Sequence, residues 1–109
     1  MPSFPKRPMS EQGTHREHVR FTGRVQGVGF RMIVQRLASD HPVAGWVRNE
    51  PDGSVSCLIE ATPAGVNAFI GSIEDTMRGN IKGVERTPDF ARDGILSGFS
   101  IKFDADLGR

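Results

Sequence analysis

Apolar and polar positions alternate along three stretches of the chain, a period typical of half-buried strands. The first stretch runs from His18 to Val25, the second from Ser54 to Ala61, and the third carries Phe99, Ile101 and Phe103. Two further short apolar stretches, residues 43–48 and 81–87, are rich in β-prone residues. The pattern therefore predicts five strands.

Two other stretches repeat their apolar residues at helical spacing. After the loop Gln26–Gly29, the apolar positions 30, 33, 34, 37 and 38 form one face of a helix. This helix ends before Pro42, because the residue that precedes a proline avoids the α region. Thr62 and Pro63 predict the start of a second helix, with Thr as N-cap and Pro at the first helical position. Its apolar face consists of Val66, Phe69, Ile70, Ile73 and Met77.

The order of these elements predicts the fold class. It runs strand, helix, strand, strand, helix, strand and a final short strand, and the sequence from Glu50 to Gly53 predicts a tight turn between the second and third strands. This order is typical of an α+β split βαβ sandwich, an antiparallel sheet with two helices on one face. We expect one domain over residues 18–104. Residues 1–17 contain three prolines and no apolar period, which predicts a disordered N-terminal tail.

Composition excludes several classes of protein. The 109 residues include 14 basic and 13 acidic side chains, and the resulting net charge of +1 argues against a broad nucleic-acid or membrane-surface role. A single cysteine, Cys57, excludes an intrachain disulfide. No apolar run approaches the length of a transmembrane helix or of a signal-peptide core, so we expect a cytoplasmic protein. Its size and the absence of a long apolar stripe favour a monomer.

The segment GRVQGVGFR, Gly23 to Arg31, carries the strongest chemical signal. It ends a strand, forms a glycine-bearing loop and opens a helix with an arginine in its first turn. Backbone N–H groups of such a loop, together with the helix dipole, favour a small dianion such as a phosphoryl group. Arg31 adds a planar charged fork that can bind two phosphoryl oxygens. Without a ligand, a cation near a helix N-terminus is slightly unfavourable, so a binding role is favoured over a merely solvated arginine.

Asn49 is the second candidate, at the predicted end of the second strand. In a split βαβ sandwich this strand end and the loop before the first helix can face one edge. A carboxamide there offers both a hydrogen-bond acceptor and a donor, and could hold a water in line for attack on a phosphorus fixed by Arg31. The alternative is an asparagine that only starts the turn.

These motifs resemble the acylphosphatase family. GRVQGVGFR, followed by GWVRN at 45–49 and PDGSV at 51–55, is similar to that family over roughly residues 18–103, with eighteen positions from Arg31 to Asn49. The resemblance implies a ferredoxin-like fold and hydrolysis of acyl phosphates to a carboxylate and inorganic phosphate, without metal or cofactor. It also implies that the substrate's own phosphate accepts the proton of the attacking water.

The resemblance assigns roles to individual residues. It implies that Arg31 binds the phosphate and that Asn49 positions the attacking water. It also implies an anion-binding loop that consists of Gln26, Gly27, Val28, Gly29 and Phe30.

Two alternatives remain open at this stage. The family frequently has an aromatic residue where Gly29 stands, and glycine occurs there in the acylphosphatase-like domain of hydrogenase-maturation carbamoyltransferases. A non-catalytic module that binds phosphate or carbamoyl phosphate is therefore a second hypothesis. RNA binding, which split βαβ domains achieve with exposed aromatics on strands, is disfavoured because the chain has no tyrosine and few aromatics outside apolar faces. Three further arginines also have two interpretations. They either attract anionic substrates or are simply solvated, and they are Arg20, Arg24 and Arg48.

Overall fold

Five strands form one sheet in the computed structural model of the chain, which describes residues 14–103. They are β1 (His15–Gly23), β2 (Ala44–Asn49), β3 (Val55–Ala61), β4 (Ile81–Pro88) and β5 (Phe99–Ile101). Their order across the sheet is β4-β1-β3-β2-β5. All neighbours are antiparallel except β2 and β5, which are parallel. The predicted ferredoxin-like α+β class is confirmed, but the sheet is mixed rather than wholly antiparallel, because β5 adds to the outer edge of β2.

Two helices contact each other and lie against this sheet. They are α1 (Phe30–Ala38) and α2 (Pro63–Thr76). The predicted start of α2 is confirmed, because Pro63 is at the beginning of the helix and the Thr62 hydroxyl accepts a hydrogen bond of 3.1 Å from the Gly65 N–H. Between residues 14 and 103, neither helix has the length and apolarity needed to cross a membrane.

The hydrophobic core lies between the helices and the sheet. It is built from alternate residues of the strands and from the apolar faces of the helices, including Val19, Phe21, Val34, Val47, Cys57, Ile59, Phe69 and Ile73. The rings of Phe21 and Phe30 pack with their centroids 5.4 Å apart, which fixes the first residue of α1 against β1. Burial raises the pKa of the Cys57 thiol, so this cysteine behaves as a small hydrophobic residue.

The first strand begins three residues before its predicted start at His18. His15, Arg16 and Glu17 belong to β1, so the predicted boundary of the tail at residue 17 was wrong. Arg16 is buried and donates hydrogen bonds to the carbonyl oxygens of Asp93, at 2.8 Å, and Gly94, at 3.0 Å. Residues 1–13, the rest of the predicted tail, and residue 104 at the predicted end of the domain lie outside the described residues.

Glu17 is also buried, and it owes this position to a distant partner. Its carboxylate accepts hydrogen bonds of 2.7 and 2.9 Å from the Arg86 guanidinium on β4. The hydrogen bond from Arg86 lowers the pKa of the Glu17 carboxyl and outweighs the opposing effect of burial. A charged residue at the start of β1 is therefore part of the sheet because it is paired.

Two other predicted strand ends differ from the structure. β1 ends at Gly23, yet Val25 remains buried, as the alternation indicated. β5 ends at Ile101, and Phe103, which was predicted to continue its apolar face, is 83% exposed. The prediction for Phe103 was wrong because alternation alone does not fix where a strand loses its neighbour.

We expect Gly45→Ala to destabilise the fold by about 3 kcal/mol or more, because β2 would have to move away from β3. Gly45 has φ +149°, and a Cβ there would lie 1.7 Å from the Leu58 carbonyl oxygen. Gly79→Ala is the control, since a Cβ there meets nothing within 4 Å; its effect should stay within about 1 kcal/mol. Urea unfolding followed by circular dichroism measures both, and equal stabilities of the two variants would contradict the expectation.

Candidate active site

The loop between β1 and α1 has a backbone that favours glycine. Gly27 has φ +77° and Gly29, the N-cap of α1, has φ +79° and ψ 18°. Both lie in the left-handed region that residues with a side chain rarely adopt. A Cβ on Gly29 would meet nothing within 4 Å. The conformation of the backbone therefore favours glycine at both positions, and no described residue beyond the chain neighbours of Gly29 is close to where its Cβ would lie.

The first turn of α1 has N–H groups that no capping side chain occupies. Gly29 has no side chain to accept their hydrogen bonds, and the first turn contains no acidic residue. The first N–H groups of any helix lack a carbonyl partner within the helix. Together with the helix dipole they make the start of α1 a site for an anion.

A small cavity of about 140 Å³ lies at this helix start. It is lined by Val25, Gly27, Gly29, Phe30, Arg31, Met32 and Asn49. Arg31 and Asn49, which belong to different sequence motifs, thus line the same cavity. The geometry brings together a cation, the glycine loop and a carboxamide.

Asn49 is a buried polar residue on the core-facing side of β2. It alternates with Gly45 and Val47, which are also buried, and it is 9% exposed. Its side-chain amide makes no hydrogen bond with another residue in the part of the chain that the structure describes. No fully buried side-chain polar atom of the described residues lacks a hydrogen-bond partner, so the Asn49 amide is open to the cavity that it lines, where a ligand or a water can contact it.

Gln26 ties the loop to the turn that follows Asn49. Its side-chain NH₂ donates hydrogen bonds of 2.8 Å to both the Glu50 and the Ser54 carbonyl oxygens. The turn is further ordered by Asp52, whose carboxylate accepts from the Ser54 N–H at 2.9 Å. The hydrogen bond from the Ser54 hydroxyl is the main cause that lowers the pKa of Asp52. Gln26 therefore holds the loop beside the end of β2.

The predicted loop residues divide into two groups. Gly27, Gly29 and Phe30 line the cavity, and since the Phe30 ring is buried against Phe21, its backbone is the part nearest a ligand. The Gln26 side chain is engaged with the turn, and Val28, 37% exposed, is outside the lining.

Val25 and Met32 line the cavity but were not predicted as site residues. Alternation indicated only that Val25 is buried. The sequence signal for Met32 was its position directly after Arg31.

Two of the three arginines considered as attractors of anions are paired with acids. Arg20 forms an ion pair with Asp52, and Arg48 forms one of 2.9 Å with Glu50. Arg24 lies beside a different cavity, together with Asn80 and Lys82. The charges of Arg20 and Arg48 are therefore partly neutralised by acids of the turn after β2.

The described lining of the cavity has the chemistry to bind an anion. No aspartate, glutamate, histidine or cysteine occurs among the described residues that line it. Within residues 14–103, no group of three or more such side chains is arranged to hold a metal ion. The arrangement can orient a phosphoryl group and a water by charge and hydrogen bonding.

Comparison with protein families found a match over most of the chain. The family model described as Acylphosphatase matches residues 17–101. An acylphosphatase from Thiobacillus denitrificans is 39% identical over 87 residues, which cover 80% of this chain and 96% of that protein. One from Thermococcus kodakarensis is 55% identical over 56 residues. That match spans 51% of this chain and 62% of the relative's length.

Solved structures similar to this chain include acylphosphatases and larger proteins. The crystal structure of acylphosphatase from Bacillus subtilis superposes with a TM-score of 0.71 at 30% identity, covering 81% of this chain and 98% of that chain. The crystal structure of HypF from T. kodakarensis has the same TM-score at 28% identity, covering 81% of this chain but 12% of that chain.

We expect Gln26→Ala to weaken the binding of inorganic phosphate about tenfold, because the loop is no longer held in place by two hydrogen bonds. The free energy of unfolding should fall by about 1–2 kcal/mol. Titration calorimetry measures the affinity. Gln35→Ala, an exposed glutamine on α1, is the control and should stay within twofold of wild type. Unchanged phosphate affinity in Gln26→Ala would show that these hydrogen bonds do not organise the site.

Proposed function

This chain belongs to the acylphosphatase family, and we propose that it hydrolyses an acyl phosphate to a carboxylate and inorganic phosphate. In this proposal Arg31 and the loop amides bind the phosphoryl group, and Asn49 positions the attacking water. One observation carries it: the start of α1, Arg31 and Asn49 line a single cavity. Membership of a family of hydrolases that act on acyl phosphates supports the same reaction.

The phosphoryl group binds at the start of α1. Its oxygens accept hydrogen bonds from the N–H groups of Gly27, Gly29 and the first helical residues, whose direction is set by the left-handed glycines. The Arg31 guanidinium donates two parallel hydrogen bonds to two phosphoryl oxygens. These donors are fixed before the substrate arrives, so they stabilise the charge that the transition state places on the equatorial oxygens.

Asn49 orients the water. Its carbonyl oxygen accepts a hydrogen bond from the water, whose oxygen attacks phosphorus on the side opposite the acyl oxygen. The bond from phosphorus to the acyl oxygen breaks, and the carboxylate leaves with its electron pair. One proton of the water passes to a phosphoryl oxygen. A carboxylate is a good leaving group, so positioning and charge supply most of the acceleration.

The absence of a protein base from the described lining of the cavity is consistent with this route. A phosphoryl oxygen of the substrate can accept the proton without a basic side chain. A carboxylate beside the phosphate would repel the phosphate. The position of Asn49 also fits, because this residue lines the cavity and no hydrogen bond from its side chain to another residue between positions 14 and 103 would have to break.

The alternative is a module that binds phosphate or carbamoyl phosphate without turnover. Its support is the structural likeness to HypF and the glycine at position 29. The likeness to the acylphosphatase from B. subtilis favours the enzyme, because it extends over nearly the whole of that protein. Turnover of an acyl phosphate separates the two.

Wild-type protein should hydrolyse benzoyl phosphate with a chelator present, and Arg31→Ala should lower kcat/KM by at least about 10²–10³, because the main charged donor is lost. Arg31→Lys should recover only part of it, since an ammonium cannot form the bidentate fork. Arg36→Ala, which removes an exposed arginine from the last turn of the same helix, is the control and should behave like wild type. Folded wild-type protein that binds phosphate but shows no turnover would favour the non-catalytic module.

Asn49→Ala should lower kcat by about 10² with little change in phosphate affinity, because Asn49 orients the water and does not bind the phosphate. Stability should change little, since the amide makes no hydrogen bond to a described residue. Asn49→Asp should be at least as inactive, because its charge repels the phosphoryl group. Steady-state kinetics and thermal unfolding measure these effects, with Asn67→Ala on α2, outside the cavity lining, as the control for kcat. An Asn49→Ala enzyme with normal kcat would remove this residue from the mechanism.

A further inference from the structure

Met32 is an exposed apolar side chain at the rim of the cavity. It is the third residue of α1 and directly follows Arg31, and 71% of its surface is exposed. The other large hydrophobic residues that are exposed between positions 14 and 103 are Val28, Phe90, Ile95 and Phe103, and none of them lines this cavity. An unbranched thioether at this place is costly in water and adaptable in contact with a ligand.

The size of the cavity indicates which part of a substrate it encloses. Its volume is about 140 Å³, whereas pockets that bury most of a larger ligand span about 300–1,000 Å³. In the proposed function, Arg31 and the loop amides bind the phosphoryl group within this volume. The acyl substituent therefore lies towards the rim.

The rim is open on the side of Gly29. Apart from the two chain neighbours of Gly29, no residue in the part of the chain that the structure describes comes within 4 Å of a Cβ built there. Met32, three residues along the helix, is on the adjoining part of the lining. In a helix, side chains point back towards the N-terminus, which directs the Met32 side chain over the turn that starts at Gly29.

We propose that Met32 is a specificity-determining residue whose side chain contacts the acyl substituent, so that the site prefers bulky apolar acyl groups, such as benzoyl, over small ones. This inference rests on the proposed function, because it takes the phosphoryl group to be bound by Arg31. Removal of water from the thioether and from the acyl group provides the preference, and sulfur–aromatic contact adds to it.

The test compares two non-hydrolysable ligands that share the anionic group, benzoylphosphonate and acetylphosphonate. Wild-type protein should bind benzoylphosphonate more tightly. Met32→Ala should reduce the ratio of the two affinities about fivefold, with the affinity for acetylphosphonate within about twofold of wild type. Met32→Leu should recover most of the ratio, because it restores apolar volume. Ile95→Ala, which removes an exposed isoleucine that is not part of the lining, should leave the ratio unchanged.

Turnover of benzoyl phosphate and acetyl phosphate by the same proteins separates the two hypotheses. If the wild-type protein hydrolyses both substrates and Met32→Ala leaves the ratio of their two kcat/KM values unchanged, the role of Met32 alone is overturned. An equal loss of affinity for benzoylphosphonate and acetylphosphonate in Met32→Ala would also overturn the role of Met32, since that result indicates a general disturbance of the helix. Phosphonate binding that depends on Met32, without hydrolysis by wild-type protein, would overturn the proposed function and support the contact with the acyl group.

Discussion

The two hydrogen bonds from the Gln26 side chain to the turn after β2 are the contacts on which the site most depends. They join the loop that begins α1 to the strand end that carries Asn49, two segments more than twenty residues apart in sequence. The sheet order makes this possible, because β3 pairs with both β1 and β2 and so brings their ends to one edge. Packing of Phe30 on Phe21 then fixes the first turn of α1 against β1.

The electrostatics of the site follow from this arrangement. A helix that began with an Asp or Ser N-cap would satisfy its own amides, whereas one that begins with a left-handed glycine leaves them for a ligand. Arg31 in the same turn adds charge at a point where the helix dipole disfavours it, and a bound phosphoryl group would reverse that cost. Elsewhere on the surface, arginines such as Arg20 and Arg48 are paired with acids of the turn after β2, so their guanidinium groups help to order that turn.

Most of the fold could be predicted because its signals are local. The Thr62-Pro63 start of α2, the helical spacing in α1 and the core face of β3 depend on residues close in sequence, and each was confirmed. The other face of β3, with Ser56 and Leu58, is buried too. The parallel addition of β5 to β2 could not be predicted, because the sequence between β4 and β5 does not indicate which edge the chain reaches. Nor could the early start of β1, since Arg16 and Glu17 are buried only through partners such as Arg86, sixty-nine positions beyond Glu17.

The candidate site shows the same division. The motifs around Arg31 and Asn49 predicted two residues that line one cavity, whereas the side-chain role of Gln26 and the position of Met32 at the rim depend on contacts between segments. Titration of isotope-labelled protein with inorganic phosphate, followed by ¹⁵N–¹H NMR, tests the central claim most directly. The account predicts the largest shifts at the backbone amides of residues 27–31 and at the Asn49 side-chain amide. Shifts confined to the separate cavity beside Arg24 and Lys82, with residues 27–31 and Asn49 unmoved, would contradict it.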